Sequence, residues 1–142
     1  MPAEPLLARA ARIAGRAVRL RCPRCGAMPL FPGTPPSPAP VGPIRQALRR
    51  LQGWFVMEPQ CLLCGLRYER AQGYFVGAIY INYAVTATIA IGGYFLLWVG
   101  ADLSTPAQFA IWVPFLLVFP LWFFRWSRSL WLGLMYLVSP ND

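Results

Sequence analysis

The four cysteines form the clearest chemical constellation in the chain. They fall in two C-x-x-C pairs, Cys22-Pro23-Arg24-Cys25-Gly26 and Cys61-Leu62-Leu63-Cys64-Gly65. The two-residue spacing lets both sulfurs of one turn converge on a single ion, and the glycine that follows gives the backbone room to close the turn. Two such knuckles facing each other offer four thiolates in tetrahedral array, in the manner of a zinc ribbon. Zinc is the first choice of metal for Cys22, Cys25, Cys61 and Cys64. Iron held as in rubredoxin uses the same ligands and stands second, and a pair of metal-free dithiols is third. A closed four-thiolate site leaves no open position for a substrate, so a metal here has a structural role.

Other chemistry is scarce. The chain has no histidine, and all 13 of its basic residues are arginine. This removes His-dependent nucleophilic pairs, His-ligated metals, P-loop lysines and Schiff-base chemistry. The acids Glu4, Glu58, Glu69, Asp102 and Asp142 show no spacing that marks an acid/base pair. An enzyme is not expected, and no small-molecule substrate is identified.

The elements that must position the cysteines are unusual for a water-soluble domain. Hydrophobic residues make up 57% of the chain and charged residues 13%, against about a quarter charged in a typical soluble domain. Tyr74–Val99 is uncharged and, at about 1.5 Å per residue, longer than the ~30 Å hydrocarbon core of a bilayer. A polar turn around Gly100, Asp102, Ser104 and Pro106 leads to a second uncharged run, Ala107–Phe124. The expected fold is membrane α-helical: a two-helix transmembrane hairpin, with spans at about 74–99 and 107–124, preceded by a small cytoplasmic four-cysteine zinc ribbon.

Charge sets the expected orientation. Every arginine except Arg125 and Arg128 precedes the first span, and the connecting turn has none. By the positive-inside rule both termini face the cytoplasm, where thiols stay reduced. Trp98 and Trp112 would then lie toward the outer interface, and Trp122 and Trp126 toward the inner one.

Three segments complete the plan. Residues 1–20 read as a basic amphipathic helix, with Arg9, Arg12, Arg16 and Arg19 on one side and Leu6, Ala10, Ile13, Ala17 and Leu20 on the other. That pattern suits either an anionic lipid surface, apolar face down, or a partner protein. Residues 21–72 form the cysteine domain, with a Pro-rich insertion at 29–43 that lengthens the stretch between the knuckles. A short helix follows the insertion, with Ile44, Leu48 and Leu51 opposite Arg45, Arg49 and Arg50. Residues 73–142 hold the hairpin and a short apolar segment after Arg128, which could extend the second helix, lie in the interface or be covered by a partner. Gly73 and Gly77 form a G-x-x-x-G pair and Asn82 and Thr86 share a face. All four are expected to pack against another helix. Nucleic acid is not an expected partner, since Tyr68 and Trp54 are the only aromatics near the basic segments that could stack on bases.

Three stretches carry a family resemblance. They are Arg21–Gly26 with Leu30-Phe31 and Gly33, then Cys61–Tyr68, and then Gly73-Tyr74-Phe75-Val76-Gly77-Ala78-Ile79-Tyr80-Ile81-Asn82-Tyr83-Ala84. Together they resemble the bacterial membrane family known as domain of unknown function 983, over roughly residues 21–138. The basic extension before residue 21 and the proline insertion depart from the family's core. The resemblance implies a two-span inner-membrane protein with N-terminal zinc-ribbon-like C-x-x-C pairs. It also implies association with haem-copper oxidase assembly or a similar electron-transfer system. The expected role is therefore a non-catalytic accessory subunit or assembly factor of a larger respiratory or photosynthetic membrane complex. The alternatives are an iron-binding electron carrier and a membrane-tethered regulator that senses thiols or zinc.

Overall fold

A computed structural model describes residues 5–33, 42–101 and 103–140. Pro35, Pro36, Pro38 and Pro40 of the proline insertion, and Asp102 of the polar turn, lie outside the described residues. The described chain forms four helices: α1 (Leu6–Val18), α2 (Pro43–Phe55), α3 (Val76–Ala101) and α4 (Thr105–Val138). One knuckle lies between α1 and α2, the other between α2 and α3. Pro43 occupies the first turn of α2, where its missing N–H costs nothing.

Helices α3 and α4 are each long and apolar enough to cross a membrane. They run antiparallel, and small or polar residues of α3 meet large groups of α4. Gly77 lies under the ring of Trp131 and Gly93 under the ring of Trp112. Between these two contacts, Asn82 Nδ2 donates to the carbonyl of Pro120 at 2.9 Å. Thr86 is buried and donates back to the Asn82 carbonyl at 2.7 Å. Gly73 departs from the expected G-x-x-x-G packing pair. With φ +78° it makes the turn that leads into α3, so only Gly77 of the two faces another helix.

The apolar segment after Arg128 is part of α4. That helix has 34 residues, which at 1.5 Å per residue is about 51 Å, well beyond the ~30 Å a bilayer core requires. Neither Arg125 nor Arg128 ends it, because aromatic rings take up both cations. Arg125 lies 5.0 Å from the Phe31 ring and 4.0 Å from that of Trp54, while Arg128 lies 4.7 Å from Phe75 and 4.4 Å from Phe124.

Helix α1 packs on this extension and not apolar face down on lipid. Ile13 and Ala17 are 4% and 3% exposed, and a Cβ on Gly133 would lie 3.3 Å from each of them. Ser129 Oγ donates to the Ala17 carbonyl at 2.7 Å. Leu6, the outer end of the same face, is 72% exposed. Ser129 and Gly133, one turn apart, leave a smooth strip on α4 that only a helix with a flat face can fill. Gly133→Leu should therefore dislodge α1 at a cost of about 1–3 kcal/mol, seen as faster proteolysis within residues 6–18. Unchanged cleavage would refute this docking.

Candidate metal centre

Each knuckle is built the same way. The N–H of Gly26 bonds the carbonyl of Cys22 at 2.8 Å, and that of Gly65 bonds the carbonyl of Cys61 at 2.9 Å. Gly26 and Gly65 have φ +71° and +69°, a left-handed conformation that disfavours any side chain. Cys22 N–H bonds the Met28 carbonyl and Cys61 N–H that of Leu66, both at 2.9 Å. This closes each loop into a short hairpin.

The expected zinc ribbon is reduced to these two loops. Among the described residues no β-strand forms, only the single bridges Arg21–Pro29 and Gln60–Arg67. Pro29 has no N–H to extend its ladder. The missing sheet is replaced by helix. Leu132 of α4, fully buried, joins Cys22, Leu30, Phe31, Cys61, Leu66 and Tyr68 in one apolar cluster. The cysteine module and the second long helix thus share a core.

Sulfur geometry brings all four predicted ligands together. Their Sγ atoms lie within 4.8 Å of one another, with Cys22–Cys64 and Cys25–Cys61 both at 3.6 Å. All four are free thiols. A tetrahedral ion with sulfur ligands at ≈ 2.3 Å places its sulfurs ~3.8 Å apart, so the cluster matches such a site closely. The four-sulfur donor set suits zinc or iron.

The electrostatics point the same way. Burial pushes the Cys22 thiol up, against the N–H groups of Cys25 and Arg24. Burial also raises Cys64, and the Cys61 and Cys22 sulfurs add to it, taking the thiol to about 12. At Cys61 burial is outweighed by the N–H groups of Cys64 and Leu63, which hold it at about 6. At Cys25 the N–H groups of Ala27 and Met28 likewise prevail over burial and lower the thiol. Four thiolates this close cannot all ionise without a cation among them. Metal binding must then displace the protons of Cys22 and Cys64, so affinity rises with pH. We expect it to fall at least about a hundredfold per pH unit on acidification below pH 9, the slope for two displaced protons, and more steeply still as Cys25 and Cys61 take up protons. A chelator-competition titration with a flat pH profile would contradict this.

Arg16 belongs to this site and not to a surface face. Its Nη1 donates to the carbonyls of Pro23 and Arg24 at 2.8 and 2.9 Å, holding the outer side of the turn whose N–H groups face Cys22. A Cβ on Gly26 would sit 2.8 Å from Arg16 Nε, so the glycine also makes room for this contact. Arg9 is half-buried, while Arg12 of α1 and Arg19, the residue just after that helix, are exposed. Across the gap, Arg24 Nη1 reaches the Cys64 carbonyl at 3.4 Å, tying the knuckles together.

Tyr68 was legible in the sequence only as a stacking candidate. It is 1% exposed, its hydroxyl makes no hydrogen bond among the described residues, and burial, followed by the nearby Cys61 sulfur, pushes that hydroxyl up so that it stays protonated. Its one signal was position, four residues after Cys64 within the second knuckle. The unpartnered hydroxyl is a donor that the sulfurs can take up once a metal strips their protons, so Tyr68→Phe should weaken metal binding about tenfold, with helix content unchanged. Equal affinity would show that the hydroxyl does not act on the sulfurs.

The family model described as Protein of unknown function (DUF983) matches residues 51–136. The chain belongs to this family. The match takes in the second knuckle, Tyr68, both long helices and Leu132, while the first knuckle and α1 precede it. No curated protein and no solved structure matches the chain. In this DUF983 chain, the helical hairpin and the cysteine cluster form one connected unit through α4, and the two apolar helices point to a membrane protein.

Proposed function

We propose that this chain is a two-span protein of the bacterial inner membrane with both termini in the cytoplasm. In this reading it serves as a non-catalytic accessory subunit or assembly factor of a larger electron-transfer complex. The observation that carries the reading is the shared core. Leu132 ties the cysteine cluster to α4, so a metal clamped there stiffens the cytoplasmic end of the second span into a fixed platform. A mobile carrier gains nothing from such a joint, but a docking subunit does.

Several features support the same reading. The arginine distribution favours cytoplasmic termini. Ile79, Tyr83, Leu96, Val99 and Leu117 are each at least 66% exposed along α3 and α4, an apolar surface larger than a free-standing soluble protein tolerates. Zinc, when bound, supplies a redox-inert clamp. The chain's own residues supply the fixed geometry, through Arg16 and Arg24 on the turns and Tyr68 packed beside Cys22 and Cys61. Arg9, Arg12 and Arg19 remain candidates for anionic lipid or a protein partner.

Extraction of native membranes in mild detergent tests the proposal, with metal analysis and mass spectrometry of the chains that co-purify. One membrane complex recovered in fixed ratio with zinc is the expected result. A stable monomer without a partner overturns the subunit reading. Iron with a visible absorbance that bleaches on reduction would move the protein to the electron carriers.

A further inference from the structure

A cavity of about 570 Å³ opens between the start of α3 and the middle of α4, within the size range of ligand pockets. Its two ends differ in chemistry. At the mouth, Glu69 and Arg128 line it together. Arg128 is clamped between the rings of Phe75 and Phe124, and its five N–H donors make no hydrogen bond among the described residues. Glu69, exposed, is the carboxylate that acts on it. Below the mouth the walls are Val76 and then, deeper, Ile79, Leu116 and Pro120. Of the polar side chains at that depth, Asn82 is engaged with the Pro120 carbonyl and Thr86 with the Asn82 carbonyl, while Tyr83 is an exposed side chain on the same wall.

From Val76 to Thr86 the groove follows ten residues of helix, about 15 Å. That is half of a ~30 Å hydrocarbon core, the depth of one leaflet. A mouth with one fixed cation and one carboxylate, above a hydrocarbon slot one leaflet deep, matches a phospholipid whose head carries both charges. We propose that this groove is a specific site for a phosphatidylethanolamine-type lipid. The phosphate pairs with Arg128, the ammonium with Glu69, and one acyl chain lies along α3 and α4. A head with a phosphate but no amine would leave its net negative charge beside Glu69, and a quaternary amine would lack the N–H donors that Glu69 can accept. The inference rests on the two-span reading of α3 and α4.

The test uses the full chain, purified in mild detergent and offered phosphatidylethanolamine, phosphatidylglycerol and phosphatidylcholine of identical acyl chains. Native mass spectrometry counts the lipids retained. We expect one phosphatidylethanolamine per chain, held about tenfold more tightly than the other two, as one lost charge-assisted hydrogen bond implies. Arg128→Gln should abolish this preference. Because Arg128 also packs between rings, Glu69→Gln provides an independent check at an exposed position: it should favour phosphatidylglycerol while leaving metal content and helicity unchanged. Equal retention of all three lipids, or a preference unchanged by Glu69→Gln, overturns the lipid site. Flotation with reconstituted vesicles reports separately on the membrane reading. Its loss overturns that reading and the lipid site with it, whereas flotation with indiscriminate retention removes the lipid site alone. Displacement of the lipid by a co-purifying helix seated on Arg128 would also overturn the proposal, in favour of a protein occupant.

Discussion

Cys61→Ser will lower the metal content from one ion per chain to almost none and open the cysteine module, while the two long helices stay folded. Cys61 is the ligand most nearly ionised at neutral pH, with its thiol held at about 6, so it is the natural first ligand. A serine hydroxyl is a harder donor and keeps its proton, and the remaining three sulfurs cannot close a tetrahedron. The size of the effect follows from what else holds the module. Among its described residues there is no sheet, only two bridges, and a small apolar cluster that meets α4 at Leu132, with Phe124 and Tyr136 beside it. We expect so short a segment to depend on a bound metal, since structural zinc supplies on the order of 10 kcal/mol to small domains of this kind. Hydrogen exchange should rise sharply over residues 20–31 and 57–68 and hardly at all over residues 76–101. Full metal occupancy in the variant, or unchanged exchange in both loops, would show that the module folds on its apolar cluster alone.

Gly77→Ala should be a severely damaging single-methyl change in the hairpin. A Cβ there would meet three atoms of the Trp131 ring, far inside van der Waals contact. The ring is rigid, and its Nε1 is tied to the Tyr74 carbonyl at 2.7 Å. Moving it sacrifices that bond and disturbs Leu132, the next residue on the helix. Overpacking costs about 1–3 kcal/mol and the lost hydrogen bond about 1 more. The hairpin should therefore lose about 2–4 kcal/mol in a detergent-denaturation titration. Gly92→Ala is the internal control, since nothing lies within 4 Å of the Cβ it would add. It should be neutral or mildly stabilising through helix propensity. Identical midpoints for the two variants would mean that α3 and α4 do not meet at Gly77.

Much of this was legible from residue types and spacing. The C-x-x-C-G repeats identify the four ligands because a two-residue turn and a permissive glycine are local requirements. The lengths of the apolar runs identify the two long helices because bilayer thickness is a fixed yardstick. Asn82 and Thr86 could be assigned to a packing face because both are one turn apart in an otherwise apolar run, and the structure gives Asn82 its partner in the Pro120 carbonyl.

Periodicity marks a face but does not say what covers it. The apolar side of α1 suits lipid or protein equally well, and Ser129 and Gly133, more than a hundred residues away, are what bring Ile13 and Ala17 onto α4. Spacing likewise made Gly73 and Gly77 look alike, whereas the chain needs a left-handed turn at one and a flat surface at the other. Arg16 reads as one cation in a basic stripe until the knuckle carbonyls of Pro23 and Arg24 turn toward it.

By itself, then, the sequence determined which side chains can hold a metal and which segments are apolar enough to span, since both depend on neighbours in the chain. Only the tertiary structure decided that the two are one object. Joining them requires α4 to continue past Arg125 and Arg128, with rings from distant segments stacked on both cations, and to place Leu132 among the sulfurs. Long-range packing of that kind leaves no local pattern to read.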